Sequence, residues 1–382
     1  MKLRILMVLP GVLASVLAQS DGQRQVPAVP TVFQSKLLTS TTKHLDLLLD
    51  ENGNVAALEG KSSDAMTASA FYIAYELTGK PKYRVAAVQL ADRILRAMRA
   101  MKFGVLYIKQ KDKGLGEEIP GGGPPAFGWY TAAVAHILHD EGGREADLKY
   151  IATVLDNFPW NEKGWWSAAI DVDTGESKQP LSKPSPINKN AAMAMAAARV
   201  SLYIRDIDPA LSARLSGKAK KCIYDQILPA QESDGYWHYG LTGNDPKNKD
   251  VLGYFMVTMD GLIQLRQYSE SHKDPAFLTA LGKANSFAVK CIASIMDPNN
   301  GPACGDRTTP GTPTHYTVSE DPRRGFQLGL ILLAGRNNES GMRIMNEALK
   351  HFPYGDTGAE GSHAVHPCAL MLLFMRNTGK VD

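Results

Sequence analysis

An internal period of about 65 residues, in which two kinds of helical segment alternate, constrains this fold more than any other feature of the chain. The first kind is apolar nearly all round and rich in small residues: 65–77, 126–138, 191–204, 252–265, 325–334 and 364–375. A helix without a broad polar face has to be buried on most sides. The second kind is amphipathic and basic: 83–101, 145–155, 210–227, 276–295 and 341–351. These offer one face to a core and one to water. Their starts recur. Asp208-Pro209-Ala210-Leu211 and Asp274-Pro275-Ala276-Phe277 each supply an N-cap Asp and a proline in the first helical position. The last apolar segment has no amphipathic partner after it, and 42–49 near the N-terminus can supply one. Thr78-Gly79-Lys80 and Thr378-Gly379-Lys380 mark the same stage of the unit at opposite ends of the chain. The expectation is therefore an all-α ring closed by its own termini, with six inner and six outer helices in one domain over 39–382. An open array of tetratricopeptide type would repeat at about 34 residues and would not need uniformly apolar helices.

Ahead of the ring, residues 1–18 read as a secretory signal peptide. Lys2 and Arg4 are basic, 5–12 are apolar, and Val16 and Ala18 are the small residues of a cleavage site. Residues 19–38 are rich in Gln, Pro and Ser and read as an irregular arm. The expected location is secreted or periplasmic, with no membrane association once the signal is removed. No later stretch approaches the roughly 18 apolar residues of a membrane span. A net charge of +3 is no footprint of nucleic-acid binding. Four cysteines, Cys222, Cys291, Cys304 and Cys368, allow three full pairings in an oxidising compartment and form no C-x-x-C pair. No cofactor and no metal are expected. Gly121-Gly122-Gly123 lacks the Lys-Ser/Thr of a phosphate loop, and the His363 and His366 pair lacks the H-E-x-x-H pattern. The chain is expected to act as a monomer on a polysaccharide or oligosaccharide.

Function should gather on one rim. Loops leaving the apolar helices are short, whereas those returning to them are long: 102–123, 157–187, 229–249, 296–320 and 352–362. Short hairpins are expected at 103–109, 164–171 and 236–241. All five tryptophans lie between 129 and 237. Flat aromatic faces suit the C–H faces of sugar rings, so Trp129, Tyr130, Trp165, Trp166, Tyr236, Trp237 and the nearby His363 are candidate substrate contacts.

The alternation of inner and outer helices with long loops on one rim resembles the (α/α)6 toroids. That superfamily holds many glycoside hydrolases, polysaccharide lyases and sugar epimerases, with terpene cyclases among its relatives. The resemblance covers about residues 40–380 and implies fold more than activity. Residues 231–237 fit Q-x3-G-x-W and look like the QW motif of terpene cyclases, which recurs in some toroid lyases and implies a structural role for Gln231 and Trp237. A cyclase would need a D-x-D-D or D-D-x-x-D cluster, and none occurs.

Three activities remain open. A lyase acting on a uronate chain needs a clamp for the carboxylate, a base for the C5 proton and an acid for the leaving oxygen. His238, Tyr239, Tyr254, His315 and Tyr316 are the acid and base candidates, and Asn190 and Arg324 the clamps, with Lys189 a further donor. An inverting glycoside hydrolase would use two of Asp64, Asp250 and Asp321. A glycan-binding protein without catalysis would keep the ring and its aromatics.

Overall fold

The computed structural model describes residues 30–55, 61–105, 124–171, 174–178, 180–182, 185–239, 252–268, 273–296, 318, 322–352 and 369. Eleven α-helices fall among them. The inner ones are α2 (Lys61–Thr78), α4 (Pro124–Glu141), α6 (Ile187–Tyr203), α8 (Leu252–Tyr268) and α10 (Pro322–Ala334). The outer ones are α1 (Thr31–Leu47), α3 (Pro81–Ala100), α5 (Glu145–Asp156), α7 (Pro209–Cys222), α9 (Pro275–Met296) and α11 (Asn338–Lys350). A π-helical turn, Ile223–Ile227, continues α7. Ala369 is helical and fully buried where the sixth inner helix is expected; the rest of that segment lies outside the described residues.

Burial follows the two sequence patterns. Along α6, residues from Ile187 to Ser201 are buried on nearly every side. Its alanines let the neighbouring helices approach closely. A Cβ at Gly128 of α4 would come within 2.6 Å of the Ala192 carbonyl oxygen, and one at Gly261 of α8 within 2.8 Å of the Ala191 carbonyl oxygen. Each inner helix packs on the next, α2 on α4, α4 on α6, α6 on α8 and α8 on α10. Outer helices bury one stripe, as in Tyr83, Ala86, Ala87, Leu90, Ala91, Ile94 and Met98 of α3. The repeated start chemistry forms as expected. Asp208 accepts from the Leu211 N–H at 3.1 Å, and Asp274 accepts from the Ala276 and Phe277 N–H groups at 2.9 and 3.0 Å. Each such cap stabilises its helix by about 1 kcal/mol.

The first and last outer helices meet. Lys36 Nζ of α1 donates to Asn346 Oδ1 of α11 at 3.0 Å, and the His44 and Phe352 rings lie edge to face at 5.3 Å. The outer layer thus joins end to end, as the terminal Thr-Gly-Lys echoes suggested.

Two details differ from the expectation. The N-terminal arm is helical from Thr31, not irregular to 38, because Phe33, Leu37, Thr41, His44 and Leu45 form one buried face that composition alone conceals. The hairpin in the loop 157–187 pairs Trp160–Asn161 (β1) with Trp165–Trp166 (β2), starting before residue 164, and a single bridge joins Ile170 to Ser177. The loops 103–109 and 236–241 hold no strand among the described residues. No helix among the described residues is long and apolar enough to cross a membrane.

Candidate functional site

Because inner and outer helices alternate in direction, all inner helices send their N-termini to the long-loop rim. Partial positive charge gathers there. At that rim the structure brings three of the candidate residues together. Tyr239, at the end of the described part of the long loop 229–249, places its ring 4.4 Å from that of Tyr254 in the first turn of α8. The Tyr239 carbonyl accepts from the Ile187 N–H at 3.0 Å, which ties this loop to the start of α6. Arg324, in the first turn of α10, lies against the backbone beside Tyr254: a Cβ at Gly253 would come within 2.7 Å of Arg324 Nη1. Only glycine leaves room for the guanidinium to settle there. Gln327 Oε1 accepts from the same Nη1 at 3.1 Å and steadies it. Tyr254 is 38% exposed, whereas Tyr239 is half-buried. Burial, and then the neighbouring Tyr254, push the Tyr239 phenol up, so it keeps its proton.

His238, beside them, faces Glu232 with 3.4 Å between Nε2 and Oε1, and its ring meets Tyr236 edge on. Lys189 is half-buried, its Nζ donating to the Ala168 carbonyl at 3.2 Å, and burial pulls its ammonium down.

Most of the other sugar-contact candidates belong to the core. Trp166 and Tyr130 are fully buried, and Trp165, Tyr236 and Trp237 nearly so. The Trp165 indole donates to the Leu181 carbonyl at 3.0 Å, and the Trp237 indole to the Ile227 carbonyl at 2.7 Å. Gln231 Nε2 donates to the carbonyls of Gly235 and of Ala280 in α9, at 3.1 and 2.8 Å. The Q-x3-G-x-W segment is therefore a weld between loop and outer helix. Asn190 is corrected in the same way. Its amide oxygen accepts from the Trp166 N–H at 2.9 Å and its amide nitrogen donates to the Pro186 carbonyl at 3.1 Å, so it braces the hairpin onto α6. Among the hydrolase candidates, the buried Asp64 faces outward to Arg93 of α3 at 4.0 Å. His315, Tyr316, His363, Asp250 and Asp321 lie outside the described residues.

Below the rim, inside the ring, is a narrow crevice with room for about one water molecule, bordered by Ala65, Met66, Ser69, Trp129, Arg199 and Gln264. Trp129 is the one tryptophan of the candidate set that reaches it. A polar chain runs behind the wall. Arg199 donates to Gln264 Oε1 at 3.0 Å and to the Tyr203 hydroxyl at 3.4 Å, and Gln264 donates to Asp260 Oδ2 at 3.0 Å. Burial pushes the Asp260 carboxyl up to about 7, against the opposing pulls of Gln264, Trp129 and Arg199. Asp260 retains some accessible surface, but the side chains around it exclude most water. Sequence reasoning missed Asp260 because it sits in mid-helix, away from the helix starts. The signal was an Asp and a Gln four apart in an otherwise apolar segment.

Of the cysteines, Cys222 is a buried free thiol and Cys291 takes part in a disulfide, so the four do not all pair with one another.

No protein-family profile matches this sequence, and no curated protein is similar to it. Solved structures are. An unsaturated glucuronyl hydrolase specific for heparin aligns with a TM-score of 0.56 at 10% identity, over 91% of this chain and 99% of its own. A polysaccharide lyase aligns at 0.54 and 12% identity, over 91% and 98%. An inactive α-1,6-mannanase variant from a Salegentibacter species, in complex with α-1,6-mannotriose, aligns at 0.50 and 15% identity, over 89% and 99%. This full-length likeness, with the alternating helices above, makes the fold an (α/α)6 toroid.

Proposed function

We propose that this protein is an exported carbohydrate-active enzyme that cleaves an acidic, uronate-containing polysaccharide by β-elimination. The observation that carries the reading is the grouping of Tyr239, Tyr254 and Arg324 at the rim, with the two rings 4.4 Å apart and the guanidinium seated on Gly253. Arg324 is the clamp. It neutralises the uronate carboxylate, which acidifies the C5 proton by stabilising the charge that develops when that proton leaves. The exposed Tyr254, next to the guanidinium, is the base that takes the proton. The electron pair forms the C4–C5 double bond as the C4–O4 bond breaks. Tyr239, held protonated by its burial, gives its proton to the leaving oxygen. The lyase and the glucuronyl hydrolase among the structural neighbours lend this substrate class further support. The signal-like segment 1–18 and the Cys291 disulfide support an oxidising location outside the cytoplasm.

A second reading, hydrolysis, draws on Asp260, whose raised carboxyl suits a general acid. It also needs an opposing carboxylate, and the described lining of the crevice includes none. Incubation with a panel of uronate polysaccharides separates the readings. Elimination raises ultraviolet absorbance through the unsaturated uronate. New reducing ends without that absorbance would overturn β-elimination and favour Asp260. Binding with neither product would leave a glycan-binding protein.

A further inference from the structure

The opposite end of the ring carries a second cluster that the proposed reaction does not use. Glu76 stands in the last turns of α2, and His136 and Asp140 stand four apart near the end of α4, on one helix face. These two inner helices are neighbours. One ligand atom from each residue lies within 4.8 Å of both others. We propose that Glu76, His136 and Asp140 form a binding site for a divalent first-row transition metal, with zinc(II) the best fit to one imidazole and two carboxylates.

Bonds of about 2.0–2.2 Å to a tetrahedral ion place its ligand atoms roughly 3.4 Å apart. His136 Nε2 and Asp140 Oδ2 already stand at 3.4 Å. Glu76 starts within 4.8 Å of both and closes the remainder by rotations about its own side-chain bonds. The surroundings hold the ligands ready. The His136 ring lies parallel to Tyr203 at 5.9 Å, inclined by 8°, with Tyr72 edge on at 5.4 Å. Asp140 is oriented from behind by His139, whose Nδ1 is 2.9 Å from its Oδ1. Such outer contacts fix ligand orientation and tune affinity.

Charge points the same way. Both helix C-termini add partial negative charge here. Glu141 is matched by a two-bond contact with Arg84, at 2.7 Å each. Arg199 is turned to Gln264 and the Tyr203 hydroxyl on the lumen side. Asp140 has the imidazoles of His136 and His139 as near partners. A bound cation would join two inner helices at the base of the ring, and three protein ligands would leave a coordination position open.

The test is isothermal titration of zinc(II) chloride into the full chain after chelator treatment, with elemental analysis of the untreated protein. One zinc per chain is expected. His136→Ala and Glu76→Gln should each weaken binding at least tenfold, His139→Ala by about tenfold as an orienting partner, and His351→Ala on α11 not at all. Glu76→Gln keeps the test alive if His136→Ala does not fold. Zinc uptake that is undetectable in the parent, or equal in the parent and in Glu76→Gln, overturns the site. The readout is metal content, so it stands or falls apart from the β-elimination assay.

Discussion

The two ends of the inner helices carry opposite chemistry. At the N-terminal end, Arg324 and Lys189 stand among tyrosines under a long-loop rim. At the C-terminal end, Glu76 and Asp140 stand among imidazoles under short loops. The helix dipoles point the same way at both ends, positive at the rim and negative at the base. The polarity is thus written twice, once in the backbone and once in the side chains. It favours an anion above and a cation below. A ring of parallel inner helices makes this asymmetry unavoidable, and the loop lengths decide which end is open to a large substrate.

A second contrast lies within the rim itself. Its aromatics divide into those that hold the hairpins down and those that face out. Trp166 represents the first group: it is fully buried, its ring meets that of Trp160 at 4.5 Å, and its backbone N–H donates to Asn190. Trp166→Ala should cost about 3–5 kcal/mol, since a large cavity would open where the loop meets α6. Chemical denaturation measures this. A loss of activity with stability intact would mean the indole contacts substrate after all.

Arg324→Ala should act on the other side of that contrast. It is expected to lower kcat/KM on a uronate polymer by roughly 100- to 1000-fold, the usual effect of removing one donor to a developing oxyanion. The denaturation midpoint should shift little, because the guanidinium is only partly buried. Steady-state kinetics on polymer and on its methyl ester check the role. If the ester is cut as well as the acid by the parent and the variant loses both equally, Arg324 is not the carboxylate clamp.

How much of this was legible in the sequence differs between the scaffold and the site. Helices show as periodicity, and the period survives because each inner helix must be apolar all round. Capping chemistry at Asp208 and Asp274 is local, so it reads directly. Aromatic roles are not local. Tyr236-Trp237-His238-Tyr239 are consecutive, yet the first two pack under the loop and the last stacks on Tyr254. In irregular backbone no fixed period says which side chain points in. Naming Asn190 as a clamp beside Arg324 met the same difficulty, because an amide at a helix start can serve ligand or backbone equally well. His136 and Asp140 show an i, i+4 spacing in the sequence, but Glu76 joins them only through the packing of α2 on α4.

Between the two ends lies Asp260, and its ionisation tests how dry the lumen is. Its folded pKa of about 7 stands above its ordinary 3.8. Between those values the folded chain keeps a proton that the unfolded chain gives up, so this group's contribution to stability falls as pH rises from about 4 to 7. Arg199, Gln264 and Trp129 face it and limit the shift. Asp260→Asn should therefore raise stability at pH 8, on the order of 2 kcal/mol, and the gain should vanish toward pH 4. Thermal unfolding across that window is the measurement. A gain independent of pH would mean the carboxyl is already ionised and hydrated.

The smallest effect expected is at Lys189, the second cation of the rim. Its ammonium is half-buried and donates to the Ala168 carbonyl, and burial already pulls its charge down. It therefore contributes little field to the substrate side compared with Arg324. Lys189→Met keeps the apolar stem and removes the hydrogen bond, so a stability loss of about 1 kcal/mol is expected, with kcat/KM changed less than tenfold. The salt dependence of KM should stay as in the parent, since a screened, partly buried charge steers a polyanion weakly. A flattened salt dependence in this variant would make the positive rim a shared property of α6 and α10, and would move the clamp from one residue to two.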